Sequence, residues 1–212
     1  MAIHIFWDNS NVWGALSNLR VTKEPDVPWY ALRAYFKNIY DFAAKGRDAN
    51  TKVMAGSVPP ECEELWDYAR NLGFETDLLK RVESDESTKC EQAVDEILHM
   101  KIANAILDYE PPQTLVILSG DSSISDYNTS FPSQIERAIK HGWDVEIYTS
   151  TNTISKTKYQ PLLDKYPGKI KIAYFDNYYY KLTFVKEGEY WKINPDGTKA
   201  FFHINKRIVE KL

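Results

Sequence analysis

Cysteine is nearly missing from this chain: Cys62 and Cys90 are the two in 212 residues. Two thiols make neither a disulfide framework nor a four-ligand zinc site, so the expected state is reduced thiols in an intracellular, cytoplasmic or nuclear protein. Long hydrophobic runs are missing too, which excludes a membrane-spanning helix as the organising feature and a membrane as partner. The first residues lead directly into a strand, with no basic region or cleavage signature, so no secretory signal is expected. A basic excess is also lacking. The net charge of −4 argues against a protein that coats nucleic acid through a cationic surface. It does not argue against an enzyme that engages phosphate through bound cations, which supply positive field locally. Neither a Walker loop nor a G-x-G-x-x-G turn is present, and there is no internal repeat or low-complexity linker.

What is present is ordinary globular composition, 43% hydrophobic and 26% charged, at a length suited to one large domain or one domain with an appendage. Apolar runs that read as strands cover residues 3–8, 51–55, 74–82, 114–118, 143–148 and 170–175. Between them, helical spacing covers 29–44, 61–71, 89–109, 132–141 and 158–166, while 9–11 read as a turn and 12–26 as a polar loop holding Arg20. Such alternation predicts a mostly parallel sheet with helical crossovers, an α/β doubly wound layer. The texture changes near Tyr180. Short strands at 181–185, 190–193 and 200–204 read as a small antiparallel appendage, dividing the chain into 1–179 and a β-rich extension 180–212. Aromatic content reaches 14%, including Tyr178-Tyr179-Tyr180 and Trp191, residues that serve as core or as base-stacking surfaces.

The residues that carry chemistry are acidic. Asp8 ends the first strand and Asp121 follows the fourth, so both lie on the rim formed by strand carboxyl ends. The long helix starts at that rim and carries Glu91 and Asp95 on one face, above Leu98, Ile102 and Ile106. Clustered carboxylates repel unless a cation sits among them, and oxygen ligands suit Mg²⁺ or Mn²⁺. Each residue also has a plainer reading. Asp8 is a good helix cap, Glu91 completes a T-x-x-E capping box with Thr88, Asp121 fits a turn, and Asp126 fits a solvated loop as well as a further ligand. His99 follows Asp95 by one helical turn, which fits a residue lining the site, and fits better a structural histidine with satisfied hydrogen bonds.

Three motifs, D-N-S-N at 8–11, V-D-E-I-L-H-M-K at 94–101 and L-V-I-L-S-G-D at 115–121, together resemble NYN domains of the PIN-like superfamily of metal-dependent ribonucleases. The resemblance spans about residues 1–150. It implies a three-layer α/β/α sandwich in which Asp8, Asp95 and Asp121 bind metal, with Glu91 or Asp126 assisting. It further implies that Asn11 contacts phosphate or orients Asp8, and that RNA is the substrate. Ser119 joins Asn11 as an expected substrate contact, and Arg20, Lys80, Arg81 and Lys89 are expected to steer the RNA backbone. The chain departs from the family at Ser123, where many members carry a second Asp. A catalytically degenerate domain that binds RNA or protein is therefore the alternative. A haloacid-dehalogenase-type phosphatase ranks below both, because Ser10 stands where that chemistry needs an Asp. The extension is open to packing on the core, widening the RNA surface or forming a homodimer.

Overall fold

A computed structural model describes residues 2–58, 63–80, 87–124, 128–193 and 196–212; the side chains of 57–58, 63, 77–80, 87–93 and 192–193 also fall outside that description. In chain order the first elements are β1 (Ile3–Asp8), α1 (Asn9–Lys23), β2 (Leu32–Ala34), α2 (Phe36–Ala44), β3 (Ala49–Val58) and α3 (Glu63–Asn71). There follow β4 (Glu75–Lys80), α4 (Ser87–Asp108), β5 (Thr114–Leu118), α5 (Phe131–Lys140), β6 (Asp144–Thr149) and α6 (Lys156–Lys165). The chain closes with β7 (Ile170–Tyr174), a 3-10 turn, α7 (Tyr179–Leu182), β8 (Thr183–Val185), β9 (Gly188–Ile193) and β10 (Lys199–Ile204).

Six strands form one parallel sheet in the order β4-β3-β1-β5-β6-β7. Successive side chains on a strand face opposite layers, so two cores form. Ile3, Ile5 and Trp7 of β1 join Met54, Leu118 and Tyr148 against α1, α2 and α3. Phe6 joins Val53, Ile117 and Ile147 against α4, α5 and α6. The result is a three-layer α/β/α sandwich. The strand order reverses direction between β1 and β5, which opens a crevice over their carboxyl ends, where such sheets hold ligands. No helix among the described residues is long and apolar enough to cross a membrane.

Three local expectations are corrected. Residues 9–23 are a helix rather than a turn and a loop. Asp8 caps it, its carboxylate accepting the Asn11 N–H at 3.0 Å, and Val12, Ala15, Leu16 and Leu19 bury one narrow stripe. The Asn and Ser residues that suggest a turn lie at the helix start, where those side chains are also favoured. Residues 29–44 are not one helix: Leu32–Ala34 is a strand, paired antiparallel with β8. The C-terminal strands are not one small sheet either, since β8 leaves to join β2, and β9–β10 make a hairpin alone. The extension is tied back to the core. Arg207 makes a two-pronged pair with Glu24 at the end of α1, and Tyr30 donates to the Trp191 carbonyl at 2.7 Å.

The length of α4 explains how it reaches the crevice. Its 22 residues make about 33 Å of helix against about 17 Å for the five-residue β5, so it overhangs the sheet. Val94, Leu98, Ile102 and Ile106 bury its stripe on the sheet. Asp95 stands beside Val94, where that stripe meets the rim.

Candidate functional site

The crevice is a cleft of about 340 Å³ whose walls include Asp8, Asn11, Gly14, Asp95, Asp121 and Thr153. Asp8 is placed by the end of β1 and the start of α1, and it is 3% exposed. One carboxylate oxygen accepts the Asn11 N–H; the other accepts the Ser119 hydroxyl at 3.0 Å. Burial pushes its carboxyl up to about 6; the Asn11 and Ser119 hydrogen bonds oppose the rise, and the charge of Asp121 adds to it.

Asp121 is held differently. One oxygen accepts the Ser122 N–H at 2.6 Å, the Ser123 N–H at 2.9 Å and the Ser123 hydroxyl at 2.8 Å. Burial works against its ionisation, but the donors of Ser123, a hydrogen bond with the Asp95 side chain and the Ser122 N–H outweigh it, and its pKa lies below the usual carboxylate range. The Asp95 side chain thus meets Asp121 across the cleft. Ser123 acts here as a donor that fixes Asp121.

The loop between β5 and Asp121 is stitched to α1. Gly120 donates its N–H to the Asn11 side-chain oxygen at 2.8 Å, and a side chain at Gly120 would strike the Thr149 hydroxyl at 2.3 Å. Asn11 therefore binds the loop as well as lying on the cleft wall. Ser119, an expected substrate contact, is fully buried and bridges Asp8 and the Asp121 N–H. Arg20 is likewise misplaced by the sequence reading. Helix α1 carries it about 18 Å from Asp8, to the far end, where it donates to the Val27 carbonyl. Glu91, Lys80 and Lys89 have side chains outside the described residues, and Arg81 and Asp126 lie wholly outside them.

His99 is structural but not satisfied. It is buried, edge-on to Phe131 at 4.6 Å between ring centroids, and among the described residues neither ring nitrogen has a hydrogen-bond partner. Burial pushes its pKa down to about 4, against the charge of Asp121. Sequence reasoning missed Tyr159. This buried α6 residue donates its hydroxyl to the Asp121 carbonyl at 2.5 Å. Burial raises its pKa, and the nearby charges of Asp121, Asp8 and Asp95 raise it further. A lone Tyr on a short polar helix carries no local signal of such a role. The same helix opens with exposed Lys156 and Lys158, cations the sequence reading did not single out.

As a donor set the three aspartates fit a hard divalent cation, being all oxygen and open to one cleft. The triad is not closed, however. Among the described residues no three His, Cys, Asp or Glu side chains stand close enough to hold a metal. Both Asp8 oxygens are engaged by Asn11 and Ser119, while Asp95 and Asp121 engage each other.

No family model matches the chain. Residues of the chain are 25% identical over 141 positions to a highly reducing polyketide synthase of Aspergillus terreus; the match covers 66% of this chain and spans 5% of the synthase's length. A crystal structure of a protein of unknown function from Vibrio parahaemolyticus is similar with a TM-score of 0.57 at 13% identity, covering 83% of this chain and 94% of the other. That likeness extends to the fold.

Proposed function

We propose that the chain is a Mg²⁺- or Mn²⁺-dependent endoribonuclease of the NYN, PIN-like type, working in the cytoplasm or nucleus. The observation that carries this reading is the meeting of Asp8, Asp95 and Asp121, from three separated segments, around one cleft at the switch point of the sheet. A bound divalent ion would polarise the phosphodiester and supply an activated water. The chain's own residues prepare for it. Ser119 and the α1 N-terminus hold Asp8, the Ser122–Ser123 turn holds Asp121, and Asn11 fixes the backbone between them. The exposed Lys156 and Lys158 at the start of α6 suit steering of a polyanion, which the net negative surface otherwise repels.

Labelled RNA incubated with the purified protein should be cut in Mn²⁺ and left intact in excess chelator, and Asp121→Asn should abolish cutting. Cleavage that survives Asp121→Asn sinks the assignment. A catalytically silent RNA- or protein-binding module is the second reading. It is favoured by Ser123 in the acidic position and by the engagement of the carboxylates with one another and with backbone donors. RNA retention without turnover, insensitive to chelator, is the result it expects.

A further inference from the structure

We propose that Gly14 is a specificity-determining residue: its absent side chain leaves room along α1 for a nucleotide flanking the scissile phosphate of an RNA strand. The inference rests on the ribonuclease reading and extends it from the carboxylates to the wall beside them.

A glycine inside a helix is unfavourable relative to alanine, because it gives up more backbone freedom and shields nothing. Two structural reasons commonly keep one there, a left-handed backbone or a crowded neighbour. Neither applies to Gly14. It lies within α1 with no positive φ, and a Cβ built on it would meet nothing within 4 Å. Gly56 and Gly120 are different. There a Cβ would come within 2.9 Å of Trp66 and 2.3 Å of the Thr149 hydroxyl.

The empty space over Gly14 is the cleft itself. Asn11 and Asn18 share its helix face, three residues before and four after, and both line the same cleft. The three positions make a polar wall about 10 Å long running away from Asp8. Asn18 is exposed, so its amide can donate and accept toward phosphate or a base edge. A side chain at Gly14 would project between the two asparagines, where the strand would lie.

The test compares Gly14→Ala and Gly14→Leu with the wild type on two substrates in Mn²⁺: a short single-stranded RNA and bis(p-nitrophenyl) phosphate, a diester too small to reach along α1. Gly14→Ala should raise the melting temperature by about 2–4 °C, since helix propensity improves with no clash. Gly14→Leu should lower the ratio of RNA to small-diester turnover by roughly tenfold or more, mainly through KM for RNA. A lower melting temperature for Gly14→Ala, or equal effects of Gly14→Leu on both substrates, overturns the inference while leaving the ribonuclease reading intact. A wild type that cuts the small diester but no RNA overturns both.

Discussion

Asp8 concentrates two opposing demands in one side chain. It caps α1, which asks only for an acceptor, and it sits buried as a carboxylate, which is unfavourable while no cation is near. Its pKa of about 6 exceeds the ordinary 3.8, so between those values the folded state binds more protons than the unfolded chain. Stability contributed by protonated Asp8 is thus lost as pH rises through that window, to the extent of about 3 kcal/mol above it. Asp8→Asn keeps an acceptor for the Asn11 N–H and removes the charge. We expect its melting temperature in chelator to exceed that of the wild type at pH 7.5, with the gap closing toward pH 4. Mn²⁺ should raise the wild type and leave the variant unmoved. Calorimetry across pH checks this, and a variant less stable than wild type at pH 7.5 refutes it. His99 works in the other direction. Its pKa of about 4 lies below the ordinary 6.5, so stability falls as pH drops through that range. The two residues oppose each other between about pH 4 and 6, flattening the wild-type profile.

At the scale of elements, the site depends on which helices reach the rim. Helix α4 arrives by excess length, α1 by starting there, and α6 through the single phenol of Tyr159. The Tyr159 hydroxyl ties the α6 layer to the backbone of Asp121, while its ring packs in the core under α4, α5 and α6. Tyr159→Phe keeps the ring and strands the Asp121 carbonyl. The expected result is a stability loss of about 1–3 kcal/mol by denaturant unfolding, accompanied by weaker Mn²⁺ binding in a metal titration. Loss of stability with unchanged Mn²⁺ affinity would reduce the residue to a packing role.

For the molecule as a whole, a single guanidinium gathers several of the contacts that fasten the extension. Arg207 pairs with both oxygens of Glu24 at 2.7 and 2.8 Å, and donates to the Thr183 carbonyl and hydroxyl. Tyr179 adds its hydroxyl to the same carboxylate at 2.8 Å. Glu24 is thereby shared between the end of α1 and the β8 segment, and both partners are largely buried. Removing Arg207 leaves an uncompensated carboxylate, a loss of about 3 kcal/mol for a pair of this kind. Arg207→Ala should therefore unfold several degrees below the wild type, and the β2–β8 pairing should lose protection first in hydrogen exchange. A variant with unchanged stability would show the extension to be held by its apolar contacts alone.

Taken alone, the amino-acid order determines the alternation of apolar strands with amphipathic helices, and hence the parallel sheet. The continuous run TLVIL and the stripe Leu98, Ile102 and Ile106 each specify their own burial. It also marks Asp8, Asp95 and Asp121, because strand ends and a helix start share a rim whatever the details above them. Local pattern failed where partners lie far off in sequence. Leu32–Ala34 is a strand because β8, some 150 residues later, completes its ladder. Ser119 bridges Asp8 and the loop of Asp121 because two strand ends meet at it. Arg20 is remote because α1 starts at the rim and carries it to the far end of the helix. Tertiary packing also decided that Tyr159 bonds the backbone of Asp121 and that Gly14 opens onto the cleft. Those are relations across elements, set by the sheet's switch point and by helix lengths, and no period in a single segment encodes them.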